Sequence, residues 1–123
     1  MEISSRKLSN VVIFDIEGEF RRIEIKDVTL HQLVKDQLDL GNLDIILNLA
    51  TLESIDSFCV GEILSSYISI HNMGGKLLRA NTPEKIQIIF EVTALDPIIP
   101  NHRSIDAAIA SFSHPDHSLK KQK

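Results

Sequence analysis

The chain has 123 residues, of which 43% are hydrophobic and 24% charged, with a formal net charge of -4. That length supports one folded core and not two, and the composition is that of a globular chain, not a disordered one. The acidic balance excludes a general nucleic-acid surface, which needs clustered Lys and Arg, and no apolar run approaches the ~20 residues of a membrane-spanning helix.

In chain order, residues 11–17 read Val-Val-Ile-Phe-Asp-Ile-Glu, a β-branched run that turns to alternation. That is the pattern of a strand buried mainly on one face, and Gly18 stops it. Over residues 27–40, Val28, Leu30, Leu33, Val34 and Leu38 recur at helical spacing ahead of Gly41, which predicts a first helix. Ile45, Ile46 and Leu47 give residues 44–49 a continuous apolar strand of the kind found mid-sheet under covering helices. A second helix is predicted from Asp56 and Ser57 to about Met73, with Val60, Ile63, Leu64, Tyr67, Ile68 and His71 on one face. Gly74 and Gly75 end it. Residues 76–79 form another strand, and Thr82 is the expected N-cap of a third helix from Pro83 to Val92, with Ile86, Ile89 and Phe90 inward. Ile98 and Ile99, bracketed by Pro97 and Pro100, are expected to make a brief edge strand. Ser104 caps a last short helix through Phe112, and residues 113–123, without apolar periodicity, are expected to be a disordered tail. Strands alternating with helices through short connections predict a single α/β domain over residues 1–112, with a mostly parallel central sheet and about four helices.

Enzyme templates find little to hold. The five glycines, at 18, 41, 61, 74 and 75, make neither a phosphate loop nor a dinucleotide fingerprint. Cys59 falls in the first turn of the second helix, where a helix terminus can lower a thiol's pKa, although a small packed residue is the plainer role. The single cysteine fits a reducing compartment, and the first ten residues hold no apolar segment of a secretory leader, so a cytoplasmic location is expected. His114, Asp116 and His117 lack the convergence of a metal site, and Lys120, Lys121 and Lys123 read as a solvated terminus. No metal, cofactor or catalytic residue is expected. A hydrolase using Ser57, Asp56 and His102 lacks any pattern for an oxyanion hole.

The junction at Asp56 and Ser57 is different in kind. A strand ends, a connection follows, and two short polar residues stand where a helix presents free N–H groups and the positive end of its dipole. Capping needs one of them. The other is available as an exposed hydroxyl, and a phosphate there would add about -1.5 to -2 charges without disturbing the helix.

Residues 48–61 carry Asn48 and Leu49 at a strand end, then Asp56, Ser57, Phe58, Cys59, Val60 and Gly61. Gly18, Glu19 and Phe20, then Gly74, Gly75 and Lys76, then Thr82 and Pro83 stand as supporting echoes. On these residues the chain resembles the STAS domains of bacterial anti-sigma factor antagonists over residues 11–112. The resemblance implies a regulatory binding module and not an enzyme. It implies that Ser57 is phosphorylated, that Asp56 is its structural partner, and that the protein partner is a serine kinase which is also an anti-sigma factor. Capture of that kinase by the unphosphorylated form would free a sigma factor for transcription. Phe58 and Cys59 stand where the simple pattern has Ser and Gly, and the Asp-Ser-Phe variant looks like the small STAS scaffold proteins of stressosome complexes. Arg21 stands where the antagonists usually have Asp, reversing a charge on the partner-facing loop. The residues expected to meet the partner are therefore Arg21, Asp56, Ser57 and Phe58. The other reading is a scaffold or transporter-associated STAS subunit that binds other STAS proteins, without phosphorylation and without entering the membrane.

Overall fold

The computed structural model describes residues 1–113; Ser113, the first residue of the expected tail, ends the last helix, and residues 114–123, with the tail's histidines and lysines, lie outside the described residues. Strand β1 (Glu2–Leu8) runs antiparallel to β2 (Val11–Phe20). Ser9 and Asn10 join them with φ of 51° and 66°, the left-handed pair that a two-residue hairpin requires. After a short 3-10 turn over Arg22–Glu24 come α1 (Leu30–Asp39), β3 (Asp44–Asn48), β4 (Leu52–Ile55) and α2 (Ser57–Asn72). Strand β5 (Lys76–Ala80), α3 (Glu84–Val92), β6 (Asn101–His102) and α4 (Ile105–Ser113) complete the order. The sheet reads β1-β2-β3-β5-β6, parallel except at β1, with β4 lying parallel to β2 off that path.

Alternation along β2 divides the core between the two faces of the sheet. Val12, Phe14 and Ile16 join the larger core with Leu30, Val34 and Leu38 of α1, Cys59, Ile63 and Ile70 of α2, and Ile86 and Phe90 of α3. Val11 and Ile13 face the other way, into a smaller core with Ile46, Leu78 and Ala108 of α4. A strand buried on both faces needs apolar residues at successive positions, which is why residues 11–14 and 45–47 form continuous runs.

Four expectations need correction. Ile98 and Ile99 form no strand: both N–H groups donate to Leu95 O, at 3.0 and 2.9 Å, so the chain is still turning there. The edge strand β6 follows Pro100, whose carbonyl accepts the Arg79 N–H. Helix α1 begins at Leu30 and not at Asp27, because the Thr29 side chain accepts the Gln32 N–H and sets the cap. Helix α3 begins one residue late, at Glu84; the Thr82 hydroxyl is turned away from capping, accepting from Arg79 at 2.8 Å and donating to Asn101 Oδ1 at 2.6 Å. The buried face of α2 is rotated from the expected one. Cys59, Ile63, Ser66 and Ile70 point inward, while Leu64, Ile68 and His71 are exposed. Small residues fit where the helix lies close on the sheet, and Ser66 satisfies its hydroxyl by donating to Glu62 O at 2.8 Å.

Arg79 is the large buried charge of the core, at 0% exposure. Its guanidinium donates to Ile99 O, Thr82 Oγ1, Gln87 Oε1 and Asp96 Oδ1 and lies 4.0 Å from the Phe90 ring centroid. One side chain thereby ties β5 to α3 and to the turn before β6.

Candidate functional site

The position of Ser57 is set by a fork in β2. Val12 to Asp15 pair with β3, and Gly18 to Phe20 pair with β4 instead, with a register shift inside that second pairing between Gly18 and Glu19. Gly18 has φ +81°, a conformation that side chains with a Cβ seldom adopt. The Asp56 N–H then donates to Phe20 O at 3.2 Å, so the start of α2 is fixed to the end of β2.

Asp56 is the N-cap. Its Oδ1 accepts the Cys59 N–H at 3.0 Å, and its Oδ2 accepts the Arg22 N–H at 2.8 Å. Burial alone would raise the Asp56 carboxyl, but these two backbone donors and the charge of Arg21 together hold it below the ordinary carboxylate range. With capping done by Asp56, Ser57 is left as an exposed first helical residue whose hydroxyl makes no hydrogen bond among the described residues. Phe58 is 40% exposed, and the Arg22 guanidinium carbon lies 5.1 Å from its ring centroid. Arg21 is exposed and approaches Glu19 at 3.6 Å, an ion pair with both side chains 49% open to solvent.

The structure therefore brings Asp56, Ser57, Phe58 and Arg21 to one surface. Arg22 belongs with them and escaped the sequence reading. The adjacent arginines were visible, but the bond that places Arg22 spans 34 residues and depends on β4 pairing with the end of β2. Cys59 is buried, and burial first, then the hydrogen bond and charge of Asp56, push its thiol up to about 12. His102 sits in β6 beyond β5, across the sheet from the β2–β4 fork, and both Asp56 oxygens are committed to backbone donors. Ser57, Asp56 and His102 therefore do not converge as the expected hydrolase alternative would require. Among the described residues no group of His, Cys, Asp and Glu could hold a metal ion, and no helix is long and apolar enough to cross a membrane.

The family model described as the STAS domain matches residues 2–108. The chain belongs to the STAS domain family. A candidate anti-sigma factor antagonist of Thermotoga neapolitana is 32% identical over 72 residues, 58% of this STAS chain and 64% of that protein. The match thus spans less than two thirds of the relative's own length. The crystal structure of a candidate anti-sigma factor antagonist from Thermotoga maritima has a TM-score of 0.75 at 27% identity, covering 89% of this chain and 92% of that one. The Bacillus cell fate determinant SpoIIAA, solved in its phosphorylated form, shares the fold at a TM-score of 0.72 and 18% identity, over 90% of this chain and 99% of that one.

Proposed function

We propose that this STAS domain is a cytoplasmic, non-catalytic binding module of the anti-sigma factor antagonist type, switched by phosphorylation of Ser57. The observation that carries the reading is the division of labour at the α2 terminus. Asp56 takes both structural hydrogen bonds, which leaves the neighbouring hydroxyl exposed and without a structural task. The partner is an anti-sigma factor that is also a serine kinase. Phosphorylation forms the Ser57 Oγ–P bond as the terminal phosphoanhydride of ATP breaks, releasing ADP and the hydroxyl proton. The unmodified surface of Arg21, Asp56, Ser57 and Phe58 binds the kinase, and the added charge ends that binding. The Thermotoga relatives, described as candidate antagonists of anti-sigma factors, support the class of partner.

The test is incubation with ATP and candidate serine kinases, followed by peptide mass spectrometry and a binding titration. Phosphate on Ser57 alone, with affinity lost on modification, is the expected result. Label on other residues, or undiminished binding of the modified form, would refute the switch. A specific observation favours a second reading, in which the chain is a scaffold subunit among other STAS proteins: Leu64 and Ile68 leave an apolar stripe of α2 exposed, at 38% and 48%, one and three turns beyond Gly61 and Ser57. Elution as a large assembly with such partners in gel filtration would establish it.

A further inference from the structure

The residues on either side of Ser57 both touch Arg22. The Asp56 carboxylate accepts the Arg22 backbone N–H at 2.8 Å, and the Phe58 ring lies 5.1 Å below the Arg22 guanidinium. Because Asp56 spends both oxygens on backbone donors, it makes no ion pair with either arginine side chain. The Arg22 guanidinium makes no ion pair among the described residues, and the one ion pair of Arg21 among them is its solvent-exposed contact with Glu19 at 3.6 Å. Such an exposed pair contributes little and yields readily to a stronger anion. A phosphomonoester is that anion: it carries about -1.5 to -2 charges and three acceptor oxygens that match the guanidinium fork. Arg22 also begins with its side chain already resting on an aromatic face, which reduces the entropy lost in closing on a ligand.

We infer that Arg22, seated on Phe58, and Arg21 close on a phosphate at Ser57 and neutralise it in place. The inference rests on the reading of Ser57 as the modified residue. It changes how the switch works. The modified surface is not a bare dianion repelling its partner; the phosphate draws two guanidinium groups, and the ring beneath one of them, out of the surface that the partner would otherwise meet. Phe58 and Arg21, two of the three departures from the simple family pattern, become parts of one device. The groups that face the phosphate are then Arg21 and Arg22 from the loop after β2, Glu19 from β2 and Asp56 from the cap.

The experiment encodes phosphoserine directly at position 57, so that no kinase is needed, and follows its second proton by phosphorus-31 NMR. The unchanged chain is compared with R21A/R22A and with F58L. Two guanidinium charges about 5 Å from the phosphate in a water-like medium lower its proton affinity on the order of tenfold. The titration should therefore move towards alkaline pH in R21A/R22A, and F58L should fall between the two. The backbone bond to Asp56 survives removal of the Arg22 side chain, so the variants should fold, with circular dichroism as the check. Superimposable titrations of the unchanged chain and R21A/R22A would overturn the clamp, and an F58L curve equal to that of the unchanged chain would remove Phe58 from it. A kinase that ignores Ser57 counts against the proposed switch and not against this measurement, so the two failures are distinguishable.

Discussion

Replacing Gly75 with Ala places a methyl carbon 2.2 Å from the carbonyl oxygen of Leu43 and 3.0 Å from Ile70 Cγ2. Ordinary contact begins near 3.4 Å, so the start of β5 has to retreat from β3 by about 1 Å. The obstructing carbonyl is the one that accepts the Lys76 N–H at 3.0 Å, and Gly75 itself donates to Ile70 O at 2.9 Å. Overpacking costs about 1–3 kcal/mol, and weakening one of these bonds adds about 1 kcal/mol, which gives roughly 3 kcal/mol for Gly75→Ala. Gly74 is the internal control. It has φ +83° with nothing within 4 Å of a built Cβ, so Gly74→Ala meets only backbone strain of about 1 kcal/mol. Urea unfolding followed by circular dichroism separates the two: with an m-value of about 2 kcal/mol/M, the midpoint falls by about 1.5 M at Gly75 and about 0.5 M at Gly74. Equal losses at the two positions, or a larger one at Gly74, would refute the packing argument.

Asp56→Ala removes both the cap and the tether to Arg22 and should cost about 2 kcal/mol, while Ser57→Ala should stay within about 0.5 kcal/mol; thermal melts that reverse this order would disprove the division of labour. Arg79→Met orphans Ile99 O and Gln87 Oε1 and should cost about 2–3 kcal/mol, and Arg79→Lys should recover little because an ammonium cannot reproduce the guanidinium fork; full stability of the Lys variant in urea would contradict this. Burial pushes the Asp15 carboxyl up, but hydrogen bonds from Arg6, at 2.8 and 3.2 Å, and Asn48, at 2.6 Å, outweigh it and hold the carboxyl below the ordinary range. A depressed folded-state pKa means that its stabilisation is present above the unfolded value of about 3.9 and is lost as pH falls through the folded value. The stability gap between the unchanged chain and Asp15→Asn should therefore be widest near neutrality and shrink below about pH 4; a gap constant across urea melts from pH 7 to 2.5 would contradict the sign.

The parts of the fold legible in the sequence were those whose pattern repeats. Leu30, Leu33, Val34 and Leu38 announce α1, and the apolar runs in β2 and β3 announce strands covered on both faces. Strand β1 was invisible because, as an edge strand with one solvated side, it buries little beyond Ile3 and reads as a polar segment. Strand β4 was too short, at four residues, for alternation to register. The face of α2 was misjudged because Cys59 and Ser66, weak as hydrophobic markers, occupy the buried positions while Leu64 and Ile68 do not. At the candidate site, Asp56 and Ser57 were readable as local helix-terminus chemistry. The place of Arg22 was not, since no local pattern records which strand end a loop will lie beside.

While β1 lies along one edge of β2, the fork gives the other edge two different neighbours. Its first half is laced into β3 and, through β3, into β5; its last residues hold only the four of β4, which lead directly into Asp56. The change of neighbour falls between Asp15, the last residue paired with β3, and Gly18, the first paired with β4. Phe20 and Leu52 are nonetheless buried in the larger core, so the start of α2 stands on the same interior as the central ladder, and the Ser57 hydroxyl meets solvent without any part of the fold having to open.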